Sequence, residues 1–337
     1  VDLTLSGEQR QLVNSFAALY AHESTSERVR AAEPLGFDAD LWAALRETGV
    51  IEMAVCEDVG GWGAPVLELA LVAEQHGRAT GSAPLIEAQV AARILAETGV
   101  VGTDFLTRAL SGEQTITFVP RRAATRDLGL VPAGAVADVV VALVGDRLIA
   151  SPTDERALVE NLGSLPLADV EVSADAVVLA EGAEAHAAHS RALDLWLTLT
   201  AAALTGVGAR AVEVGVEYAK ERRAFGVAIG TFQAVSHPLA DAATAVDGAR
   251  LLALKAACAF ADEPERVTEL SAMAFAFAAE SARDATRTSL HVHGGYGFGM
   301  ESDVQVYYRR ARGWAMVYGE PAAALDRVAD ARYGAVV

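Results

Sequence analysis

Four long apolar runs fill the C-terminal half of this chain, at 186–223, 232–261, 265–293 and 302–331. Alanine is frequent in them and proline scarce, so little interrupts a helical hydrogen-bond ladder. Helices gain most of their stability in proteins by packing an apolar face. The runs therefore predict a bundle of long antiparallel helices. Asp262-Glu263-Pro264 reads as the turn between the middle pair, because proline biases its predecessor away from the helical region.

The N-terminal part is also helical in pattern. Ser6 followed by Gln9 is a capping-box signature, and Leu12, Phe16, Leu19 and Tyr20 then recur at helical spacing. Further helices are predicted over 37–48, 66–78 and 84–98, with Leu41, Trp42 and Leu45 sharing a face and Gly49 ending its helix. Asp58 to Gly63 is a loop.

Between 112 and 183 the texture changes to short valine-rich runs at 115–119, 138–144, 147–150 and 170–172. Gly145-Asp146 reads as a hairpin turn between two of them. Helices, then strands, then helices excludes an alternating βαβ fold. The expected fold is mainly α with a small central β domain. Its divisions are an N-terminal helical domain (1–111), a short middle β domain (112–183) and a C-terminal four-helix bundle (184–337).

Composition narrows the function. The net charge of -18 excludes a generally basic, nucleic-acid-binding surface. Cys56 and Cys258 are far apart, which predicts neither a disulfide framework nor a metal site. The opening residues, Val1 to Ser6, show no export-signal pattern, and threonines and glycine break the longest apolar run, 195–207. A cytoplasmic protein that does not span a membrane is expected.

Two motifs carry chemistry. The first is Glu221-Arg222-Arg223-Ala224-Phe225-Gly226, followed by Thr231-Phe232-Gln233. Its basic residues either cap a helix C-terminus or grip a pyrophosphate, with Phe225 beside an aromatic ring. Gln233 either hydrogen-bonds a ligand edge or caps the next helix. The second is His291-Val292-His293-Gly294-Gly295-Tyr296-Gly297, where glycines let backbone approach a ligand closely. No strand precedes it, so it is not a Rossmann fingerprint. Asp247 and Arg250 read as solvent or subunit-interface residues, and Trp314 and Tyr318 as core.

This arrangement, flanked by His237-Pro238-Leu239-Ala240-Asp241 and Tyr307-Tyr308-Arg309-Arg310-Ala311, resembles the acyl-CoA dehydrogenase family, particularly the actinobacterial type that acts on steroid side chains. Leu5 to Gln9, Glu57 to Gly63 and Glu74 to Ala79 extend the resemblance toward the N-terminus. It implies FAD as cofactor, an acyl-CoA substrate and an electron-transferring flavoprotein as acceptor. It also implies that Arg222, Phe225, Gln233, His291, Gly294, Gly295 and Gly297 reach the ADP half of a flavin held mainly by a neighbouring chain.

Two family elements are altered. Where the family carries a Thr-Glu-Pro-x-x-Gly-Ser-Asp-like segment, this chain reads Thr117-Phe118-Val119-Pro120-Arg121-Arg122-Ala123-Ala124-Thr125. Where the family's base follows a tyrosine directly, this chain reads Tyr318-Gly319-Glu320-Pro321, with the glutamate one residue late. Glu320 is either the base or an acidic charge at a helix N-terminus. The family's other base position falls near Trp196-Leu197. Two architectures follow. One is an α2β2 heteromer in which a second acyl-CoA dehydrogenase subunit carries the chemistry. The other is a self-sufficient homotetramer using Glu320.

Overall fold

Ser6 starts the first helix by the reciprocal bonds its sequence predicts. Its Oγ accepts from Gln9 N at 3.1 Å, while Gln9 Oε1 accepts from Ser6 N at 3.0 Å. The computed structural model describes residues 3–99, 104–154 and 156–334. Val1 and Asp2, from the opening stretch, lie outside them.

The helices before the strands are α1 (Gly7–Glu23), α2 (Ser26–Ala32), α3 (Ala39–Glu47), α4 (Val66–Arg78), α5 (Leu85–Thr98) and α6 (Phe105–Leu110). Strands β1 (Ile116–Phe118), β2 (Asp127–Val131), β3 (Val139–Val144), β4 (Arg147–Pro152), β5 (Ala168–Glu171) and β6 (Val177–Glu181) follow. Then come α7 (Gly182–Glu221), the short strands β7 (Arg223–Ala224) and β8 (Val227–Ala228), α8 (Gln233–Asp262), α9 (Val267–His293), α10 (Val304–Met316) and α11 (Ala323–Tyr333).

One expectation is corrected. The run 302–331 is not one helix: it breaks between α10 and α11. Gly319 there has φ +118°, a conformation that side chains resist, and Pro321 cannot donate to a helical ladder. Strands β2 and β6, and helices α2 and α6, had no counterpart among the predicted elements.

The chain forms two units, each assembled from separated stretches. One comprises Val1–Ser26, Ala70–Gly81 and Thr198–Val337; the other comprises Glu27–Leu69 and Ser82–Leu197. The second unit holds the sheet, in the order β1-β3-β4-β6, and the separate β2–β5 pair. The β3–β4 hairpin turns where Gly145-Asp146 predicts it, with Val144 opposite Arg147. Leu128, Val131, Val140, Ile149 and Val170 bury the apolar core of this region.

In the first unit α9 is the hub, packed against α8, α10 and α11. Two glycines let α4 and α7 touch backbone to backbone. A Cβ at Gly77 would lie 1.8 Å from Ala203 O, and one at Gly206 would lie 2.1 Å from Glu74 O. Helix α7 is long and apolar enough to cross a bilayer, yet 94% of its most apolar window is buried inside the protein. Arg250 is half-buried and makes a contact within the chain. Its Nε donates to both oxygens of Glu74, at 2.8 and 2.9 Å, clamping α8 to α4.

Candidate functional site

Both sequence motifs fall at one end of the helical unit, and a ring stack joins them. Tyr218, in the last turn of α7, lies on His293, the last residue of α9, with centroids 4.2 Å apart and planes at 26°. His293 is buried, and its ring nitrogen Nδ1 lies 2.8 Å from the backbone oxygen of Ser289, which can only accept. Arg222 follows Tyr218 by one turn: Arg222 N donates to Tyr218 O at 2.8 Å. The carbonyl of Arg222 then accepts from Ile229 N at 2.8 Å, closing the base of the β7–β8 hairpin.

The hairpin tip is Phe225-Gly226, with φ of +54° and +84°. Two successive positive φ values are the signature of a type I′ turn, where Asn-Gly is the favoured pair. A phenylalanine there costs backbone energy. It gains nothing from burial either, since it is 96% exposed and meets Phe232 edge-on at 6.2 Å. Helix α8 has no side-chain cap, so Gln233 does not cap it; it is the exposed first residue. His291 faces solvent, one side of α9 away from the buried His293.

Beyond His293 the chain makes a 3-10 turn, Gly294–Phe298. Gly294 has φ +62° and ψ -145°, a region open essentially to glycine alone. Gly297 is buried, and a Cβ there would meet Leu290 O at 2.9 Å. Gly294 and Gly295 have open space before them.

These groups are chemically suited to an anionic ligand that carries an aromatic ring. Arg222 offers an exposed guanidinium with no ion-pair partner among the described residues. Phe225 offers an aromatic face, Gln233 an amide, and the glycine turn an unobstructed backbone. Tyr218, Phe232 and His293 had no site role in the sequence reading. The only signal for Tyr218 was its spacing of four from Arg222, which puts the two one turn apart.

Glu320 stands elsewhere. It lies exposed just ahead of α11, with its carbonyl accepting from Ala323 N at 2.9 Å. It lines a cavity of about 530 Å³ with Leu252, Phe277, Arg283, Arg312 and Met316. None of the seven cofactor candidates lines that cavity. Trp314 is buried as its sequence suggested, whereas Tyr318 is half-buried. Trp314 stacks on His76 at 5.4 Å, and Tyr318 meets Phe275 edge-on at 5.8 Å.

A second carboxyl has the environment that Glu320 lacks. Glu87 on α5 accepts from Trp196 Nε1 at 3.1 Å. The residue as a whole is half-buried, but its carboxyl lies deep enough that removal from water raises its pKa, with the indole bond opposing.

Family models match both helical regions of this chain. The N-terminal domain of acyl-CoA dehydrogenase matches residues 6–113, and its C-terminal domain matches residues 187–332. Acyl-CoA dehydrogenase IpdE2 of Mycolicibacterium smegmatis is 30% identical over 96% of this chain and 98% of its own. The chain belongs to the acyl-CoA dehydrogenase family.

Acyl-CoA dehydrogenases are oxidoreductases, and solved members share this fold. A variant of the Tcur3481-Tcur3483 steroid acyl-CoA dehydrogenase superposes with a TM-score of 0.86 at 26% identity, covering 97% of this chain and 98% of that one. The ChsE4-ChsE5 complex of Mycobacterium tuberculosis matches with a TM-score of 0.89 at 24% identity over the full length of both chains. Both of those proteins are heteromeric by name.

Proposed function

We propose that this chain is one subunit of a heteromeric, FAD-dependent acyl-CoA dehydrogenase and supplies the ADP half of the flavin site across a subunit interface. The observation that carries this is the outward display of the site. Arg222, Phe225, Gln233 and His291 are all exposed at one end of the unit. Phe225 is held there against its backbone preference, the kind of strain that persists at binding surfaces. The altered segment 117–125 and the displaced Glu320 support a partner that holds the flavin ring and the base.

Bound FAD would supply a two-electron acceptor for removing hydrogen from the α,β bond of an acyl-CoA thioester. In this chain Arg222 would neutralise pyrophosphate charge, Phe225 would pack on an aromatic face, and the 294–297 turn would offer its backbone. A steroid side chain is the acyl group suggested by the steroid dehydrogenase relative, with an electron-transferring flavoprotein as final acceptor. The segments 1–111, 112–183 and 184–337 are the proposed functional division.

One observation favours a second reading: Glu320 lines a cavity large enough for a ligand. In that reading the chain forms a self-sufficient homotetramer with Glu320 as base. Steady-state assay separates the two. The chain purified alone is expected to show no acyl-CoA oxidation and to gain it on co-expression with a larger family member carrying an intact base. Full activity from the single chain would overturn the heteromer.

A further inference from the structure

We infer that the cavity lined by α8, α9, α10 and the start of α11 is the contact face between two copies of this chain, related by a two-fold axis. Its floor is apolar, with Leu252 and Met273 half-buried there. Phe277, Met316 and Leu325 line it as well, and all three are exposed. Large apolar side chains from separate elements thus meet water around one hollow of about 530 Å³. Clustered exposed apolar surface of this kind marks a place of contact rather than a solvated face.

The charges around the hollow identify the partner. Arg283 is committed within its own helix: its Nε donates to Asp284 Oδ1 at 3.0 Å, and its Nη2 lies 3.6 Å from Glu280 Oε1. Arg312 and Glu320 differ from it. Both line the cavity and both are exposed. Neither side chain makes a hydrogen bond or an ion pair among the described residues. One uncommitted cation and one uncommitted anion therefore flank the same apolar hollow without reaching each other.

A partner surface of either single sign satisfies one of these charges and repels the other. A second copy turned about a two-fold axis satisfies both, because Arg312 of each copy faces Glu320 of the other and the contact repeats by symmetry. Met316 stands four residues from each of them in sequence. It then packs on its own symmetry mate near the axis, a self-contact suited to an unbranched, adaptable thioether. Exposed ion pairs add little energy, so the apolar floor supplies the affinity and the charges fix the register. This goes beyond the proposed function: an α2β2 particle and a homotetramer both hold two copies of this chain, and neither says which face joins them. None of the seven cofactor candidates lines this cavity.

Sedimentation velocity on the full chain, alone and in complex with a larger family member, counts the copies per particle. Two copies of this chain are expected for wild type. R312E or E320R alone sets like charges against each other at both symmetric contacts, and is expected to weaken self-association at least about tenfold at low salt. R312E/E320R is expected to restore it to within about threefold of wild type. Mixing the two single variants must restore it as well, since one copy then carries both acidic groups and the other both basic ones. That rescue distinguishes a two-fold contact from a variant that is merely unstable. Where a reversal unfolds the chain, Met316→Asp decides in its place and must show the same loss of self-association. A single copy per particle in wild type, association indifferent to the reversals, or no rescue on mixing overturns the proposal. Reversals that weaken only the binding of the larger family member also overturn it, by giving this face to that protein. Flavin content is not read in this experiment, so its failure leaves the proposed role of Arg222 standing.

Discussion

Tyr218 and His293 are stacked with centroids 4.2 Å apart, and this contact holds the Arg222 hairpin beside the Gly294 turn. An aromatic pair contributes about 0.5–1.5 kcal/mol beyond the area it buries. Its placement matters more than its size, because it sets the distance between a cation and a backbone cradle on different helices.

Replacing Tyr218 with leucine keeps apolar volume and removes the stack. The expected outcome is a fall of a few degrees in melting temperature, together with a clear loss of flavin from the assembled complex. Scanning calorimetry and flavin absorbance measure the two separately. Flavin retention equal to wild type would detach this stack from the site.

Phe225 makes an unusual prediction, because the better turn former is the worse ligand-binding residue. Phe225→Asn relieves the positive-φ cost and installs the favoured Asn-Gly pair. The variant is expected to melt at or above the wild-type temperature while losing flavin affinity about tenfold. If it binds flavin as tightly as wild type, the exposed ring does not serve the cofactor.

Glu320→Gln separates the two architectures kinetically. A catalytic base contributes about a hundredfold to ten-thousandfold. The heteromer predicts that kcat/KM of the complex stays within about twofold when only this chain carries the change, since the base then resides in the partner. A loss of the full catalytic magnitude would return the base to Glu320.

Two buried groups give stability opposite pH dependences. Burial, then the charge of Arg310, lowers the pKa of His76 from 6.5 to about 3, with Tyr20 Oη 2.9 Å from its Nδ1 and Trp314 stacked on it. The unfolded chain therefore takes up a proton that the folded chain refuses. This contribution is fully present above the ordinary value and is lost as pH falls from 6.5 toward 3. Denaturant titrations between pH 7 and 5 should show His76→Asn with a shallower pH slope than wild type, by up to about 1.4 kcal/mol per pH unit at the acid end. Glu87 behaves inversely: its pKa is raised, so its contribution is present below 4.5 and is lost as pH rises through the raised value. Glu87→Gln, which keeps an acceptor for Trp196, should stabilise the protein at pH 7 and not at pH 4. Equal effects at both pH values would contradict the burial account.

Much of this architecture was legible in residue order because local signals agreed with packing. The Ser6–Gln9 box, the Gly145-Asp146 turn and the limits of α4 all form as the sequence reads. Strand β2 was not legible. It has mostly exposed residues, a glycine and Leu130 at φ +51°, so no alternation marks it. The break in 302–331 was signalled by Gly319 and Pro321, but apolar periodicity on both sides concealed it. The bond of Arg250 to Glu74 was not legible, because the two lie 176 residues apart, a distance at which sequence carries no pairing signal. The outward display of Arg222 and Phe225 is likewise a tertiary fact, visible only once α7 and α9 are seen to end together.

The central claim is that a flavin held by a neighbour depends on Arg222 of this chain. The direct measurement is bound FAD in three preparations: the chain alone, its complex with a larger family member, and the same complex carrying Arg222→Gln in this chain only. The account predicts little flavin in the first, a full site in the second, and loss of most of it in the third while the complex stays assembled. A chain that purifies alone with a full complement of FAD, or a complex whose flavin content ignores Arg222→Gln, would contradict it.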